Sequence, residues 1–271
     1  MKTYSSEILA NYIRAYSLKM VHKAGTSHIG GALSMTDILA VLYQDVLNYN
    51  PLKSKALNRD RFILSKGHCC VALYSVLALK NFFDIKELEN FTLPNSNLMS
   101  HINHKVPGVE FSTGSLGHGL PFAVGKALKA KINNKKWQVF VILSDGELDE
   151  GSNWEALMFA SHHKLDNLNI IIDYNKLQSL TTVKETINIE SLYDKFNSFG
   201  CFTEEINGHN HSELKKVLSK KNKILDKPKV VVAHTIKGKG VSFMENKVEW
   251  HYKHPTDNQF KQAQKEIGII L

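Results

Sequence analysis

Two polar groups each follow an apolar run of the chain and could together bind a cation. Ser144-Asp145-Gly146 comes directly after the run Val139–Leu143. Asn175 comes shortly after the run Leu168–Ile172. Such runs are typical of strands buried on both faces, and neighbouring parallel strands end at the same edge of a sheet. Asp145 and Asn175 can therefore converge. A carboxylate, an amide oxygen and a nearby backbone carbonyl form an incomplete oxygen shell, which Mg²⁺ commonly completes with phosphate oxygens and water.

A helix between the two runs would position these groups. Residues at helical spacing predict one buried face, made of Trp154, Leu157, Met158, Ser161 and Leu165. The resulting strand–helix–strand unit predicts a parallel sheet whose ligands bind beyond the strand ends. Gly146 would let a phosphate approach the backbone, and the N-terminus of the nearby helix offers free N–H groups and a positive dipole end.

The acidic turn after the first run allows two other interpretations. Asp145, Glu147 and Asp149 alternate as in an EF-hand calcium loop. That loop needs Gly at its sixth position and Glu at its twelfth, where this chain has Glu150 and Ala156. A plain solvated turn is the second alternative. The mismatch with the calcium loop favours the magnesium and phosphate site.

His28 lies in a glycine-rich turn before a helix. The turn reads TSHIGG, and Ser34 with Asp37 predicts a capping-box-like start for a helix through Ile38 and Leu42. A surface loop histidine is the alternative interpretation.

Lys66 and His68 repeat this pattern. A strand predicted over 58–64 is followed by the turn SKGH and by a buried helix from Val71 to Leu79. A polar turn without function is the alternative interpretation.

His101 lies in a loop, residues 99–119, that is rich in Gly, His and Ser and precedes an apolar helix over 120–128. Long loops without regular structure are often functional. Other histidines have no support for a function and are interpreted as loop, turn or surface residues: His104, His162, His163, His209 and His211.

The remaining patterns complete an α/β chain. Strands are predicted over 201–206 and 230–233, and helices from Leu9 to Met20 (ending at Gly25), over 212–218 and from Pro255 onwards. The fold class is therefore α/β, with a parallel sheet covered on both faces by helices. The segment TIKGKG, residues 235–240, leaves the last strand and could bind phosphate, although G-x-G alone is a weak signal.

Length and charge narrow the classes of function. The 271 residues are 43% hydrophobic and 22% charged, which suits one large α/β domain or two smaller ones. The formal net charge of +8 allows nucleic-acid binding. However, the lysines are spread along the chain, and the densest stretch, Lys215–Lys229, contains no interleaved aromatic residue. A solvated lysine surface is favoured, which would also attract phosphorylated substrates.

The chain has no sequence signal for a membrane or for secretion. No apolar run approaches the roughly 18 residues of a membrane span. Met1–Tyr4 leads directly into a polar helix rather than a secretory segment. The adjacent Cys69 and Cys70 are poor disulfide partners, and with Cys201 they show no metal-ligand spacing. We therefore expect a reduced, cytoplasmic protein.

Taken in order, these motifs resemble those of the transketolases. The matching strings are KAGTSHIGGALSMTDILAVLY, LSKGHCCVALYSVLAL, GSLG, DGELDEGSNWEA with DYNKLQ, and EWH. An Asp-Gly after a strand, with an Asn about 30 residues later, is similar to the thiamine diphosphate motif of this family. The family motif usually begins Gly-Asp-Gly, where this chain has Ser144. Gln often stands in the family where this chain has His118.

The resemblance implies Mg²⁺ and thiamine diphosphate as cofactors. The Mg²⁺ ligands that it implies are Asp145, Asn175 and the backbone carbonyl of Leu177. The cofactor contacts that it implies are Lys66, Gly114, Ser115, Leu116, Gly146, Glu150, Asn175 and Lys237. The histidines that it implies in sugar binding and proton transfer are His28, His68, His101 and His251. Glu150 and Glu155 match glutamates of a carboxylate network at the family's subunit interface; partners of a helix dipole are the alternative.

The resemblance covers nearly all of the chain but only the diphosphate-binding half of a transketolase. Residues 1–271 are therefore predicted to form a single diphosphate-binding domain with a C-terminal extension from about residue 241. We expect the chain to be the N-terminal subunit of a split transketolase, whose C-terminal subunit supplies the pyrimidine-binding half. Two copies of each are expected, because in this family the cofactor lies between subunits.

The implied reaction transfers a two-carbon ketol unit from a ketose phosphate to an aldose phosphate. One alternative is another two-subunit thiamine enzyme, either a 2-oxo acid dehydrogenase alpha subunit or a transketolase for an unusual sugar. The histidines favour sugar phosphates over 2-oxo acids. Another alternative is a non-catalytic cofactor-binding or regulatory subunit, against which the intact Asp145 and Asn175 argue. Neither nucleic acid nor a membrane is expected as a partner.

Overall fold

A parallel five-stranded sheet forms the centre of the computed structural model, which describes residues 4–219 and 224–271. All neighbouring strands are parallel, in the order β1-β2-β3-β5-β4. The strands are β1 (Arg61–Leu64), β2 (Val139–Ser144), β3 (Leu168–Tyr174), β4 (Phe202–Asn207) and β5 (Lys229–His234). The predicted α/β class and parallel sheet are confirmed.

Helices cover both faces of this sheet. They are α1 (Ser6–Ala24), α2 (Ile29–Ser34), α3 (Thr36–Val41), α4 (Cys70–Leu79), α5 (Gly119–Ile132), α6 (Gly151–His162), α7 (Val183–Thr186), α8 (Leu192–Ser198), α9 (His211–Leu218) and α10 (Asp257–Ile267). Core residues of α1 to α4, α9 and α10 belong to one apolar cluster. Those of α5, α6 and α8 belong to a second.

Alternation along the strands explains why the strand sequences are apolar without interruption. In β2, Phe140 and Ile142 pack in the first cluster, whereas Val139, Val141 and Leu143 pack in the second. Side chains of a strand point alternately to the two faces of its sheet. Because both faces are buried, every position of β2 from Val139 to Leu143 is apolar.

The predicted capping box at Ser34 and Asp37 is wrong. The helical region begins earlier, at Ile29, and neither α2 nor α3 has a side-chain cap at its N-terminus. The Ser34 hydroxyl instead donates a 2.5 Å hydrogen bond to the Asp173 carboxylate at the end of β3. A buried tertiary partner therefore replaces the local one.

The predicted buried face of α6 is partly wrong. Leu157 is buried, but Met158 is 56% exposed and Leu165 lies beyond the end of the helix. Phe159, next to Met158, is also exposed. Helix α6 therefore presents apolar side chains on two sides rather than on one.

His209 and His211 belong to a buried polar cluster around Asp37, which gives them a structural role. The Asp37 carboxylate lies 2.6 Å from the Arg14 guanidinium, 2.7 Å from His209 Nδ1 and 3.1 Å from His211 Nε2. His209 Nε2 accepts a hydrogen bond from the backbone N–H of Ile236. Because the pKa of Asp37 is lowered by its histidine and arginine partners despite its burial, the carboxylate stays charged and holds α1, α3 and the segment after β5 together.

Two further observations concern the helices and the cysteines. Among the residues placed by the structure, no helix is both long enough and apolar enough to cross a membrane. Cys69, Cys70 and Cys201 are buried and unbridged. Met1–Thr3 and residues 220–223, which the expectations about secretion and about the lysine-rich stretch involve, lie outside the described residues.

Asp37→Ala should lower the free energy of unfolding by about 3–5 kcal/mol, because it leaves the buried Arg14 guanidinium without its carboxylate. Asp45→Ala is the matched control, since Asp45 pairs with the exposed Lys215; its cost should stay below about 1 kcal/mol. Urea unfolding of both variants measures the difference. Equal midpoints for the two variants would contradict the assigned role of the cluster.

Candidate active site

A cavity of about 240 Å³ lies at the carboxyl ends of the strands. Ser144 in β2 is in register with Asp173 in β3, so the residues that follow them leave the sheet at the same edge. Twelve of the fourteen site residues expected from the sequence line this cavity: His28, Lys66, His68, His101, Gly114, Leu116, Asp145, Gly146, Asn175, Leu177, Lys237 and His251. Asp145 and Asn175 thus come together as their positions after neighbouring strands predict.

Ser115 and Glu150 lie outside the cavity lining. Ser115 is exposed in the loop before α5, and Glu150 is exposed at the N-terminal cap of α6. Glu155, one turn further along α6, is also exposed. The three side chains therefore face away from the interior of this chain.

Asp145 and Asn175 present oxygen atoms at one end of the cavity. The Asp145 carboxylate accepts hydrogen bonds from the backbone N–H groups of Gly146 (2.8 Å) and Lys176 (2.6 Å). Asn175 Oδ1 accepts one from the N–H of Leu177 (3.1 Å). These bonds fix both side chains, while each carboxylate oxygen keeps a further lone pair for a cation.

The electrostatics at Asp145 favour a bound cation. Burial and, to a smaller extent, the neighbouring Asp173 carboxylate raise the pKa of the Asp145 carboxyl to about 7. A cation in contact with Asp145 would stabilise the charged form. Within residues 4–219 and 224–271, no three His, Cys, Asp or Glu side chains gather as a metal site. A cation here would therefore need amide, carbonyl and phosphate oxygens, a donor set that suits Mg²⁺.

Lys66 forms a buried ion pair beneath the cavity. Its Nζ lies 2.5 Å from the Asp173 carboxylate and 3.2 Å from the carbonyl oxygen of Gly31. Burial alone would lower the pKa of Lys66, but the Asp173 carboxylate outweighs it and the pKa is raised. Asp173 also accepts 2.5 Å hydrogen bonds from Ser34 and Thr235. Both charges therefore remain in the interior.

Lys237 supplies a second cation in the lining of the cavity. Its Nζ donates to the carbonyl oxygens of Leu177 (3.2 Å) and Gln178 (2.8 Å). Burial, with Lys66 nearby, lowers the pKa of Lys237 to about 8. Its ammonium lies beside Leu177 O in the cavity that Asp145 and Asn175 also line, where it could contact a phosphate.

The four predicted histidines gather on one side of the cavity. The ring centre of His28 lies 5.1 Å from that of His68, 5.9 Å from that of His101 and 4.9 Å from that of His251. Burial lowers the pKa of His28 to about 4 and that of His251 to about 3. Burial and Lys66 hold the pKa of His68 well below its usual value. These three imidazoles are therefore neutral at pH 7, and each can donate one hydrogen bond and accept another.

Backbone contacts fix the turns that carry these histidines. His28 has φ +72°, and its N–H donates to the carbonyl of His251 (2.9 Å), which joins two of the four. Gly67 precedes His68; a Cβ atom there would lie 2.3 Å from the carbonyl oxygen of Thr113. Only glycine permits this approach of the His68 turn to the loop that carries Gly114.

Two buried carboxylates that support the site were not predicted as site residues. Asp173 holds Lys66, and Glu147 accepts hydrogen bonds from the Ser65 hydroxyl (2.5 Å) and the N–H of Gly117 (2.9 Å). Burial raises the pKa of Glu147. A carboxylate directly after the apolar run of β3 was the available signal for Asp173. The pattern of Glu147 pointed only to an acidic turn.

Comparisons with known proteins agree with this geometry. The family model described as the thiamine diphosphate-binding domain of transketolase matches residues 5–270. An apulose-4-phosphate transketolase subunit from Phocaeicola vulgatus is 39% identical over 268 residues, which cover 99% of this chain and 95% of that protein. The 6-deoxy-6-sulfo-D-fructose transketolase subunit SqwG of a Clostridium species is 39% identical over 259 residues, covering 95% and 94%.

Longer transketolases match over part of their length. The mouse enzyme is 35% identical over 95% of this chain, which spans only 41% of the mouse protein. The crystal structure of the Campylobacter jejuni transketolase superimposes with a TM-score of 0.92 at 33% identity, covering 99% of this chain and 43% of that one. The matched region therefore corresponds to less than half of these enzymes.

Asp145 should make the stability of the cofactor-free chain fall as the pH rises. With a folded-state pKa of about 7, above the usual 3.8, the folded chain keeps a proton that the unfolded chain loses between about pH 4 and 7. We expect the free energy of unfolding to fall over this window in the wild type. The fall should be smaller in Asp145→Asn, by on the order of 2–4 kcal/mol.

Urea unfolding at pH 4.5 and pH 7.5 measures this difference. Asp149→Asn, which changes an exposed carboxylate of the same turn, is the control and should retain the wild-type slope. If Asp145→Asn and the wild type had the same pH dependence, the assigned electrostatics of Asp145 would be wrong.

Proposed function

The chain belongs to the transketolase family, and we propose that it is the diphosphate-binding subunit of a transketolase assembled from two kinds of subunit. In this proposal the assembled enzyme transfers a two-carbon ketol unit from a ketose phosphate to an aldose phosphate. One observation carries the proposal: a single cavity joins the oxygen atoms of Asp145 and Asn175 to four clustered histidines.

The residues present fit a Mg²⁺–diphosphate group. Asp145, Asn175 Oδ1 and the carbonyl of Leu177 would hold the metal, whose charge offsets the buried Asp145 carboxylate. Lys237 would donate to the diphosphate, and Gly146 leaves room for it beside the backbone. When bound, thiamine diphosphate supplies the carbanion chemistry of the carbon–carbon bond change.

The remaining residues bind and orient the substrate. His28, His68, His101 and His251 hydrogen-bond the sugar hydroxyls and move protons to and from oxygen atoms. The neutral imidazoles of His28, His68 and His251 suit hydrogen bonding to hydroxyl groups because each has one donor and one acceptor nitrogen. Lys66 contacts the cofactor side of the cavity and is fixed there by Asp173. Gly114, Ser115 and Leu116 present backbone groups to the aminopyrimidine ring.

A separate C-terminal subunit completes the site in this proposal. Support comes from the lengths of the relatives: this chain spans about the whole of two proteins that are named as subunits, but less than half of the mouse enzyme. Glu150 and Glu155, which are exposed on and beside α6, are proposed to meet this partner. We further propose two copies of both subunits, a single domain over residues 1–271 with an extension from about 241, and a cytoplasmic location, which the unbridged cysteines support.

An unusual sugar is the second candidate for the donor. Both subunit-type relatives carry names of specialised transketolases, one for apulose 4-phosphate and one for 6-deoxy-6-sulfo-D-fructose. The donor panel should therefore contain these two sugars beside a common ketopentose phosphate. A 2-oxo acid belongs in the same panel as the test of the alternative thiamine enzyme.

Ketol transfer should require both subunits and Asp145. We expect no turnover from this chain alone, and turnover when it is co-expressed with the product of the neighbouring gene and supplied with thiamine diphosphate and Mg²⁺. Asp145→Ala should reduce turnover of the pair by at least about 100-fold because the metal loses its carboxylate. Asp149→Ala, on the same turn, is the control and should retain activity.

Binding of thiamine diphosphate to the pair, measured by calorimetry, separates the possible failures. Cofactor binding with transfer only from a 2-oxo acid would replace the proposed reaction. Normal activity of Asp145→Ala at limiting Mg²⁺ would overturn the metal site.

A further inference from the structure

A second cavity, of about 380 Å³, adjoins the candidate active site. We call it the outer cavity. It shares His28, His68 and His101 with the first cavity but contains none of the residues around Asp145. The three histidines are therefore a wall common to both cavities, with the cofactor residues on one side. A substrate that reaches the histidines from the outer cavity would leave its far end there.

Hydroxyl groups dominate the polar lining of the outer cavity. They belong to Thr26, Ser27, Ser100 and Tyr252. Thr26 Oγ1 is buried and has no hydrogen-bond partner among the residues that the structure describes. A buried hydroxyl without a partner is unfavourable unless a ligand or water satisfies it. Because Thr26 Oγ1 is buried, a ligand in the cavity could reach it only if this segment moved, whereas Ser100 is exposed at the cavity.

The lining has no formal charge of the kind that binds phosphate. Within the described part of the chain, no Lys, Arg, Asp or Glu lines the outer cavity. The pKa of His28 is lowered to about 4 by burial, and that of His68 is also lowered, so these shared imidazoles are neutral at pH 7. Neutral donors and acceptors match the hydroxyl groups of a sugar better than they match a phosphate dianion.

Tyr252 adds an aromatic surface at the rim. Its side chain is 57% exposed, and its ring centre lies 4.9 Å from that of His251, at an interplanar angle of 63°. An exposed aromatic ring can pack against the C–H face of a sugar while its hydroxyl makes a hydrogen bond. Because Tyr252 directly follows His251 and contacts its ring, the tyrosine ring lies beside the candidate active site.

We propose that the outer cavity is a subsite for the uncharged, hydroxyl-bearing carbons of the sugar substrate, and that Tyr252 and Ser100 are specificity-determining residues within it. This inference rests on the proposed ketol transfer. It predicts that the assembled enzyme prefers a longer acceptor sugar to a two-carbon one. A long acceptor aldose reaches Tyr252, whereas a two-carbon acceptor ends at the histidines. Groups outside the outer cavity would bind the phosphate of a phosphorylated substrate.

The test compares acceptors of different length on the assembled two-subunit enzyme. The donor is the one that gives the highest turnover in the panel described above. The acceptors are glycolaldehyde and D-ribose, which differ in length and carry no phosphate. We expect Tyr252→Ala to lower kcat/KM for D-ribose by about fivefold or more and to leave kcat/KM for glycolaldehyde within about twofold.

Two further variants complete this experiment. Ser100→Ala removes an exposed hydroxyl from the lining of the outer cavity, so it should fold normally and show a smaller loss that is confined to D-ribose. Tyr193→Ala removes an exposed tyrosine from α8, which does not line either cavity, and should behave as the wild type. Equal losses for both acceptors in Tyr252→Ala and Ser100→Ala would overturn the proposal.

A binding measurement keeps the inference testable if no donor supports turnover, which would be a failure of the proposed function. Saturation-transfer NMR on the assembled protein with D-ribose needs no reaction. Transfer to the ribose protons in the wild type that is lost in Tyr252→Ala would support the subsite. Absence of transfer in the wild type, or equal transfer in both proteins, would overturn it.

Discussion

The buried ion pair between Lys66 and Asp173 is the interaction on which the candidate active site depends. Asp173 is fully buried, and it accepts hydrogen bonds from Lys66, Ser34 and Thr235. These partners belong to the turn after β1, to α2 and to the segment after β5. A desolvated carboxylate is stable only when such partners satisfy it. The end of β3, which carries Asp173, and the three partner segments must therefore meet at one point. Three site residues lie two positions along the chain from Lys66, Asp173 and Thr235, namely His68, Asn175 and Lys237. His28 lies six positions before Ser34.

Asp173 and Asp145 differ in how their negative charges are balanced. Asp173 neutralises Lys66, whereas Asp145 has no cationic side chain in direct contact among the hydrogen bonds and ion pairs of the described residues. Lys237 lies beside the carbonyl of Leu177 instead. One cavity therefore contains a carboxylate without a cationic partner among the described residues and a separate ammonium, as the proposed metal and diphosphate sites require. Neutral histidines on the adjacent wall add hydrogen bonds without adding charge.

Local pattern was enough to predict the strands, the edge at which Asp145 and Asn175 meet, and the turns that carry the histidines. These features depend on periodicity and on the common direction of parallel strands. The supporting partners were not predictable, because they join residues far apart in sequence. Ser34 and Asp173 are 139 positions apart, and Asp37 and His209 are 172 apart. The false capping box at Ser34 shows the same limit: a buried carboxylate elsewhere in the chain took the hydroxyl that a helix cap would have used.

A double-mutant cycle on Lys66 and Asp173 tests the central claim most directly. The free energy of unfolding would be measured for the wild type, Lys66→Met, Asp173→Asn and the double variant. We predict that Lys66→Met alone costs about 3–5 kcal/mol, because it leaves Asp173 buried without its cation. The double variant should cost at least about 2 kcal/mol less than the sum of the two single losses. Single losses that add to within about 0.5 kcal/mol would mean that the two residues act independently, and would contradict this account.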